Sequence, residues 1–315
     1  MYKIVFFVFV MIFMQGCFEE KKKTIRVGIS PWPGYEGLVF GMEKGFFDKI
    51  DLRIVRFLTP TESFRALRDG AVDVAAFTAD EILHYTKTKN KPKMFLVLDI
   101  SNGGDAIVAR PGIESLDDFR GKNIGVEPSA LGHYFLHRSM DFTKGLQVKD
   151  FTVVPVDIDK HVSMYEKGLV DAVITYEPSR SLLLKEGAKV IFDSKQIPGE
   201  IIDVLVTEDK TLIENQKALK LLADGWFETV AYIKLHKQEA MQKMASYEYI
   251  SVQEFEKAYD DLIIPTRQEN IKMLGDGMYS YEGTLKRLSK LMLEIGSISN
   301  DLDTQELITD IVIKQ

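Results

Sequence analysis

Cysteine is almost missing from this chain: 315 residues hold one, Cys17. No internal disulfide framework can form. Basic residues are outnumbered, with Lys+Arg at 40 and Asp+Glu at 47, a formal charge of −7. A nucleic-acid binder needs a basic face to displace counterions from phosphates, so that class is set aside. Long apolar runs are also lacking. The longest, residues 4–14, falls short of the roughly 20 residues that span a bilayer. Catalytic signatures are absent too: no nucleophile elbow, Walker loop, dinucleotide fingerprint or zinc-protease helix occurs, and no spacing sets Ser, His and Asp as a triad. The sequence therefore assigns no catalytic residue and no cofactor. What is present is an ordinary globular mixture, 45% apolar and 28% charged, which excludes disordered and collagen-like classes. The length suits two domains or one large α/β unit.

The N-terminus has the layout of an export signal. Met1-Tyr2-Lys3 is a short basic start, residues 4–14 are apolar, and Met14-Gln15-Gly16-Cys17 follows. A run of this length suits a signal-peptide core. The motif resembles a bacterial lipobox, in which the chain is cut before a cysteine that is then acylated. On that reading residues 1–16 are the signal peptide, Cys17 carries the lipid, and 17–23, rich in Glu and Lys, is a tether. Each buried CH₂ of the acyl chains adds about 0.8 kcal/mol to membrane attachment. An ordinary signal peptide with an incidental cysteine is the alternative.

Beyond the tether, β-rich runs alternate with helical stretches. Strands are expected at 25–29, 51–57, 73–77, 94–99, 122–127, 189–192 and 201–206. Helices are expected at 35–46, 62–68, 79–86 and 218–233, and Ser115-Leu116-Asp117-Asp118 has capping-box spacing. Strands separated by helices predict parallel βαβ units. The pattern also repeats. Val27-Gly28-Ile29-Ser30-Pro31 is matched by Ile124-Gly125-Val126-Glu127-Pro128, an offset of 125 − 28 = 97. Leu67-Arg68-Asp69-Gly70-Ala71-Val72-Asp73 is matched by Tyr165-Glu166-Lys167-Gly168-Leu169-Val170-Asp171, an offset of 168 − 70 = 98. We read two similar α/β lobes, 24–104 with 205–315 and 105–204, joined by two crossing segments that make a hinge. Ligands of parallel sheets sit beyond the carboxyl ends of the strands. The repeat aligns loop 30–35 with 127–134, and Thr78-Ala79-Asp80 with Tyr176-Glu177-Pro178, around one cleft.

Gly28-Ile-Ser-Pro-Trp-Pro-Gly-Tyr-Glu36 and Gly41-Met-Glu-Lys-Gly-Phe-Phe47 resemble the start of type II periplasmic binding proteins of ABC importers. The group serves nitrate, taurine, alkanesulfonates and thiamine pyrimidine precursors. Gly70-Ala-Val-Asp73, Leu116-Asp-Asp-Phe-Arg-Gly-Lys-Asn-Ile-Gly-Val126 and Thr175-Tyr-Glu-Pro178 extend the likeness. It covers residues 25–206, with weaker similarity in the helical tail. The resemblance implies a two-lobed α/β fold with a hinge and a helical C-terminal part. It implies a monomer that captures a small molecule outside the cytoplasm and passes it to an ABC permease with its ATPase subunits. A binding protein that reports to a membrane signalling partner is the runner-up. An enzyme for pyrimidine synthesis on the same fold is the third, although the cysteine-rich motif of those synthases is wholly absent here.

Within the expected cleft, Ser30, Trp32 and Tyr35 lie on a loop stiffened by two prolines, where Gly34 lets the backbone approach a ligand. Trp32 and Tyr35 offer flat faces for a ring or cation; packing of Trp32 in a lobe seam is the other reading. Ser129 and the amides opening the next helix could hold an anion, and His133 lies near that helix start. Thr78, Asp80, Glu127, Tyr176 and Glu177 come from the paired loops. Asp105 and Asp203 sit in the crossings, where a buried carboxylate needs a partner: a ligand amine or the hinge itself. The loops carry Glu36, Asp80, Asp105, Glu127, Glu177 and Asp203 and no Lys or Arg. That bias favours a neutral or amine-bearing, possibly heterocyclic ligand over nitrate or a sulfonate. His133 and His137, four apart, lack a third partner, and no metal site is assigned.

Overall fold

The computed structural model describes residues 22–87, 91–300 and 303–314. The signal segment 1–16 and Cys17 lie outside the described residues, as does the tether up to residue 21. No described helix is long and apolar enough to cross a membrane.

β-Branched and apolar residues build the first sheet. Its strands are β1 (Thr24–Ile29), β2 (Asp51–Arg56), β3 (Val74–Thr78) and β4 (Pro92–Ser101). The next five strands form a second sheet: β5 (Ala106–Ala109), β6 (Asn123–Val126), β7 (Thr152–Pro155), β8 (Ala172–Thr175) and β9 (Lys189–Asp193). β10 (Ile202–Glu208) and β11 (Leu262–Ile263) return to the first. The orders are β2-β1-β3-β10-β4-β11 and β7-β6-β8-β5-β9. In each, three parallel strands are followed by an antiparallel strand that has just crossed from the other lobe: β10 against β3, and β5 against β8.

The repeat is therefore structural, down to its turns. Helices α1 (Glu36–Glu43) and α2 (Pro60–Arg68) of the first lobe correspond to α3 (Ala130–Met140) and α4 (His161–Glu166) of the second. Gly70 and Gly168 end α2 and α4 at φ +73° and +71°, a conformation glycine adopts without cost. Asp73 then accepts the Arg26 amide and Asp171 the Asn123 amide, both at 2.8 Å, locking β3 to β1 and β8 to β6.

Helix α5 (Ser179–Lys185) completes the second lobe. The tail supplies α6 (Asp209–Leu235), α7 (Lys237–Glu248), α8 (Val252–Asp260), α9 (Arg267–Leu274) and α10 (Glu282–Glu294). α6 packs on α1 as its apolar face predicts: Trp226, 1% exposed, fills the space beside Gly37. One expected helix differs. Residues 79–86 wind as successive 3₁₀ turns (Ala79–Lys87), buried from Ala79 through Leu83, so packing rather than amphipathic period sets their form.

The two crossings run side by side. Ser101 and Ser194 share a hydroxyl bond of 2.8 Å, the Gly103 amide donates to Ser194 at 2.6 Å, and the Ser101 amide donates to the Ile201 carbonyl at 3.0 Å. The first lobe's core continues across the cleft into Ala130, Tyr134, Ile158 and Tyr176 of the second, so the lobes are in contact.

Candidate functional site

The parallel strands of both lobes aim their carboxyl ends at the seam, and a small cavity lies there. β1 runs out into Ser30, Pro31 and Trp32, with Tyr35 capping α1; Thr78 ends β3, and Pro60 opens α2. The second lobe contributes Leu131 and Tyr176, and the crossings contribute Asp105 and Asp203. The cavity volume is about 20 Å³, room for about one water.

Trp32 joins the parts. Its indole N–H donates to both oxygens of Asp99 at 3.2 and 3.1 Å, and its ring meets Tyr176 edge-on at 6.0 Å between centroids. Trp32 thus packs in the lobe seam and also lines the cavity. A Cβ at Gly34 would stand 1.9 Å from Asp99 Oδ2, so its missing side chain makes room for the Asp99 carboxylate.

Asp99 escaped the sequence reading, and it organises the floor. It sits on β4 directly opposite Asp203 of β10, which in turn lies opposite Thr78 of β3. The Tyr35 hydroxyl donates to Asp203 Oδ1. Burial pushes the Asp99 carboxyl up to about 7, and burial together with the Asp99 charge holds Asp203 well above the usual carboxylate range. Two facing acids out of water cannot both ionise cheaply. Burial pushes Asp105 up to about 7 as well, with Asp80 adding to it. Burial raises Asp80 to about 6. Asp80 Oδ2, Asp105 Oδ2 and Asp203 Oδ2 are buried with no hydrogen-bond partner among the described residues. The Ser30 hydroxyl is likewise unpartnered.

Other expected residues take structural posts. Ser129 caps α3, accepting the Gly132 amide at 3.1 Å while donating to Glu127 at 3.1 Å. The anion seat foreseen at that helix start is occupied by the protein itself: the Ala130 amide donates to Glu81 of the first lobe at 3.3 Å. Glu81 also escaped notice, reading as one more polar position of a helix. Burial, with Asp80 next, raises it to about 8. Glu127, raised by burial to about 7, lines a separate groove between the lobes with Asp157 and Arg65. Glu177 accepts from Arg180 at 3.2 Å and from the Ser181 amide at 3.0 Å, holding the start of α5. Arg180 also reaches Asp261 at 3.0 Å, which Lys195 joins at 2.7 Å, tying the second lobe to the tail. His133 is exposed on the outer side of α3 and takes no part in the cavity. Among the described residues no three His, Cys, Asp or Glu converge as a metal site.

Comparison with known proteins agrees with this architecture. The periplasmic aliphatic sulphonate binding protein of Escherichia coli superposes with a TM-score of 0.77, covering 94% of this chain and 100% of that one at 14% identity. Such identity speaks to the fold alone, and the fold is that of periplasmic binding proteins. A Brucella abortus protein provisionally named a binding protein is 20% identical over 293 residues, 90% of this chain and 89% of its own. A Haemophilus influenzae protein provisionally named for thiamine biosynthesis is 24% identical over 238 residues, 73% and 74% of the two chains. The model of the NMT1-like family matches residues 19–248, well over half of the sequence. The chain belongs to the NMT1-like family.

Proposed function

We propose that this protein is the extracytoplasmic solute-binding component of an ABC importer. It captures a small neutral or amine-bearing molecule between its lobes and delivers it to a permease with its ATPase subunits. One observation carries the reading: a cavity at the seam is built from both lobes and both crossings, with Trp32, Tyr35, Tyr176, Asp105 and Asp203 on its wall. A wall drawn from both sides makes closure depend on what lies between them. Binding requires the lobes to part about the crossings, since the closed cavity admits only about one water. No bond of the ligand is broken; aromatic faces and buried polar groups supply recognition. Cys17, freed by cleavage after Gly16 and acylated, would hold the monomer at the membrane surface through the tether 17–23.

Native mass spectrometry of the full-length chain as purified tests the central claim, expected to show a co-purifying small molecule at one per chain. A thermal-shift screen of metabolites accompanies it. No bound solute and no shift with any compound would refute solute capture. Cys17→Ala is expected to move the protein from the membrane to the soluble fraction; retention in the membrane would refute the lipid anchor.

A further inference from the structure

We infer that the cleft is built for an organic cation, an ammonium or amidinium group whose N–H donors go to Asp105 and Asp203 and whose face lies against Trp32, Tyr35 and Tyr176. This rests on the solute-capture reading above and narrows its ligand. Asp105 and Asp203 are 4% and 2% exposed and both line the cavity; Asp105 Oδ2 has no partner among the described residues, and Asp203 Oδ2 has no donor beside it except a proton it could share with Asp99. Unpartnered buried acceptors are costly, and a donor brought in by a ligand repairs them.

Charge decides between ligand classes. No described Lys or Arg lines the cavity; Arg180, which acts on Asp105 from outside that lining, places Nη1 between Glu177 and Asp261 and keeps a buried Nε without a partner among the described residues. An anion in the cavity would therefore meet Asp105 and Asp203 with no counter-charge on the wall, and the Ala130 amide of the adjacent helix is bonded to Glu81. Among the described residues the acids do not converge as metal ligands, whereas spaced carboxylates flanked by aromatic rings suit a flat or alkylated cation. A proton linkage follows. Asp105 is faced by Asp80, Asp99, Glu127, Asp203, Tyr176 and Arg180, and Tyr35 and Tyr281 face Asp203. Carboxyls that are partly protonated at neutral pH when the cleft is empty are expected to give those protons up when a cation arrives.

The test uses size-matched triplets on the full-length chain at pH 7: acetamidine, acetamide and acetate, then benzamidine, benzamide and benzoate. Titration calorimetry is expected to show an amidine binding at least tenfold tighter than its amide, with no heat from the carboxylate. Proton release is expected, read as a heat that differs between phosphate and Tris buffers. Affinity should fall up to tenfold per pH unit from pH 7 to 5. Asp105→Asn should erase the amidine preference, and since the triplets are read on the wild type, a misfolded variant leaves the result standing. An amide or carboxylate binding as tightly as its amidine overturns the inference. If no triplet binds, a co-purifying cation supports it and a neutral or anionic solute overturns it, leaving solute capture intact. No binding and no co-purifying solute refutes both.

Discussion

Replacing Asp105 by Asn should stabilise the empty protein, and only above mildly acidic pH. The Asp105 carboxyl lies between the crossing and the cavity, and burial lifts it from an ordinary 3.8 to about 7. At about 1.36 kcal/mol per pH unit, that difference amounts to about 4 kcal/mol. Near pH 4 and below, folded and unfolded chains both hold the proton, and Asn differs little from a neutral carboxyl. Between about pH 4 and 7 the unfolded chain loses its proton first, so wild-type stability falls as pH rises through that window. Above it the folded state carries the whole penalty, while the Asn variant carries none. Neighbours relax and water enters the cleft on opening, so a gain of about 2–4 kcal/mol at pH 8 is expected. Urea unfolding at pH 4, 6 and 8 should show the variant's midpoint separating from wild type by about 1 M at pH 8 and converging at pH 4. Equal midpoints at all three pH values, or a wild type that gains stability from pH 4 to 8, would refute the reasoning. The same substitution is expected to weaken cation binding, a trade of function for stability typical of sites that keep uncompensated groups.

Three further outcomes follow from packing. Gly34→Ala places a methyl group where the Asp99 carboxylate stands, 1.9 Å from Oδ2; the overpacking should cost about 1–3 kcal/mol and alter Trp32 fluorescence as its N–H bond is disturbed. Trp226→Ala empties the seam between α1 and α6 and should cost about 3–5 kcal/mol in denaturant unfolding. Tyr249, 95% exposed and at φ +59° where α7 ends, should yield about 1 kcal/mol of added stability when changed to Gly; a lower melting temperature would contradict this.

Much of the fold was legible because it is written twice. The Gly70 and Gly168 turns and the Val-Asp pairs after them fixed two lobes with the same strand order, and structure reproduces both to the level of one carboxylate–amide bond each. The site was legible where a residue stood at the end of a parallel strand, as Ser30, Thr78 and Tyr176 do. It was obscured where a single acid sat inside an apolar run. Asp99 follows Leu96-Val97-Leu98 and precedes Ile100, and a charge in such company must be either partnered or titrated; as the last residue of the expected strand 94–99 it reads instead as a strand terminus. Glu81 was hidden beside Asp80, because two adjacent acids can both be buried in tight 3₁₀ winding, where an amphipathic α-helix would turn one of them to solvent. The outward placement of His133 was recoverable from Tyr134-Phe135-Leu136, whose burial turns residue 133 to the other side of α3. Pairing across the cleft, such as Glu81 with Ala130, joins residues far apart in the chain and no local pattern announces it.

That last contact gives the protein a competitor of its own. Glu81 is a carboxylic acid tethered within reach of the α3 amides, so its local concentration there is in the millimolar range or above. A dissolved anion at micromolar levels cannot dislodge it. If the lobes part as proposed, this side chain leaves the burial that raises its carboxyl to about 8, so opening is expected to release a proton and acid to favour the contact between Glu81 and the Ala130 amide.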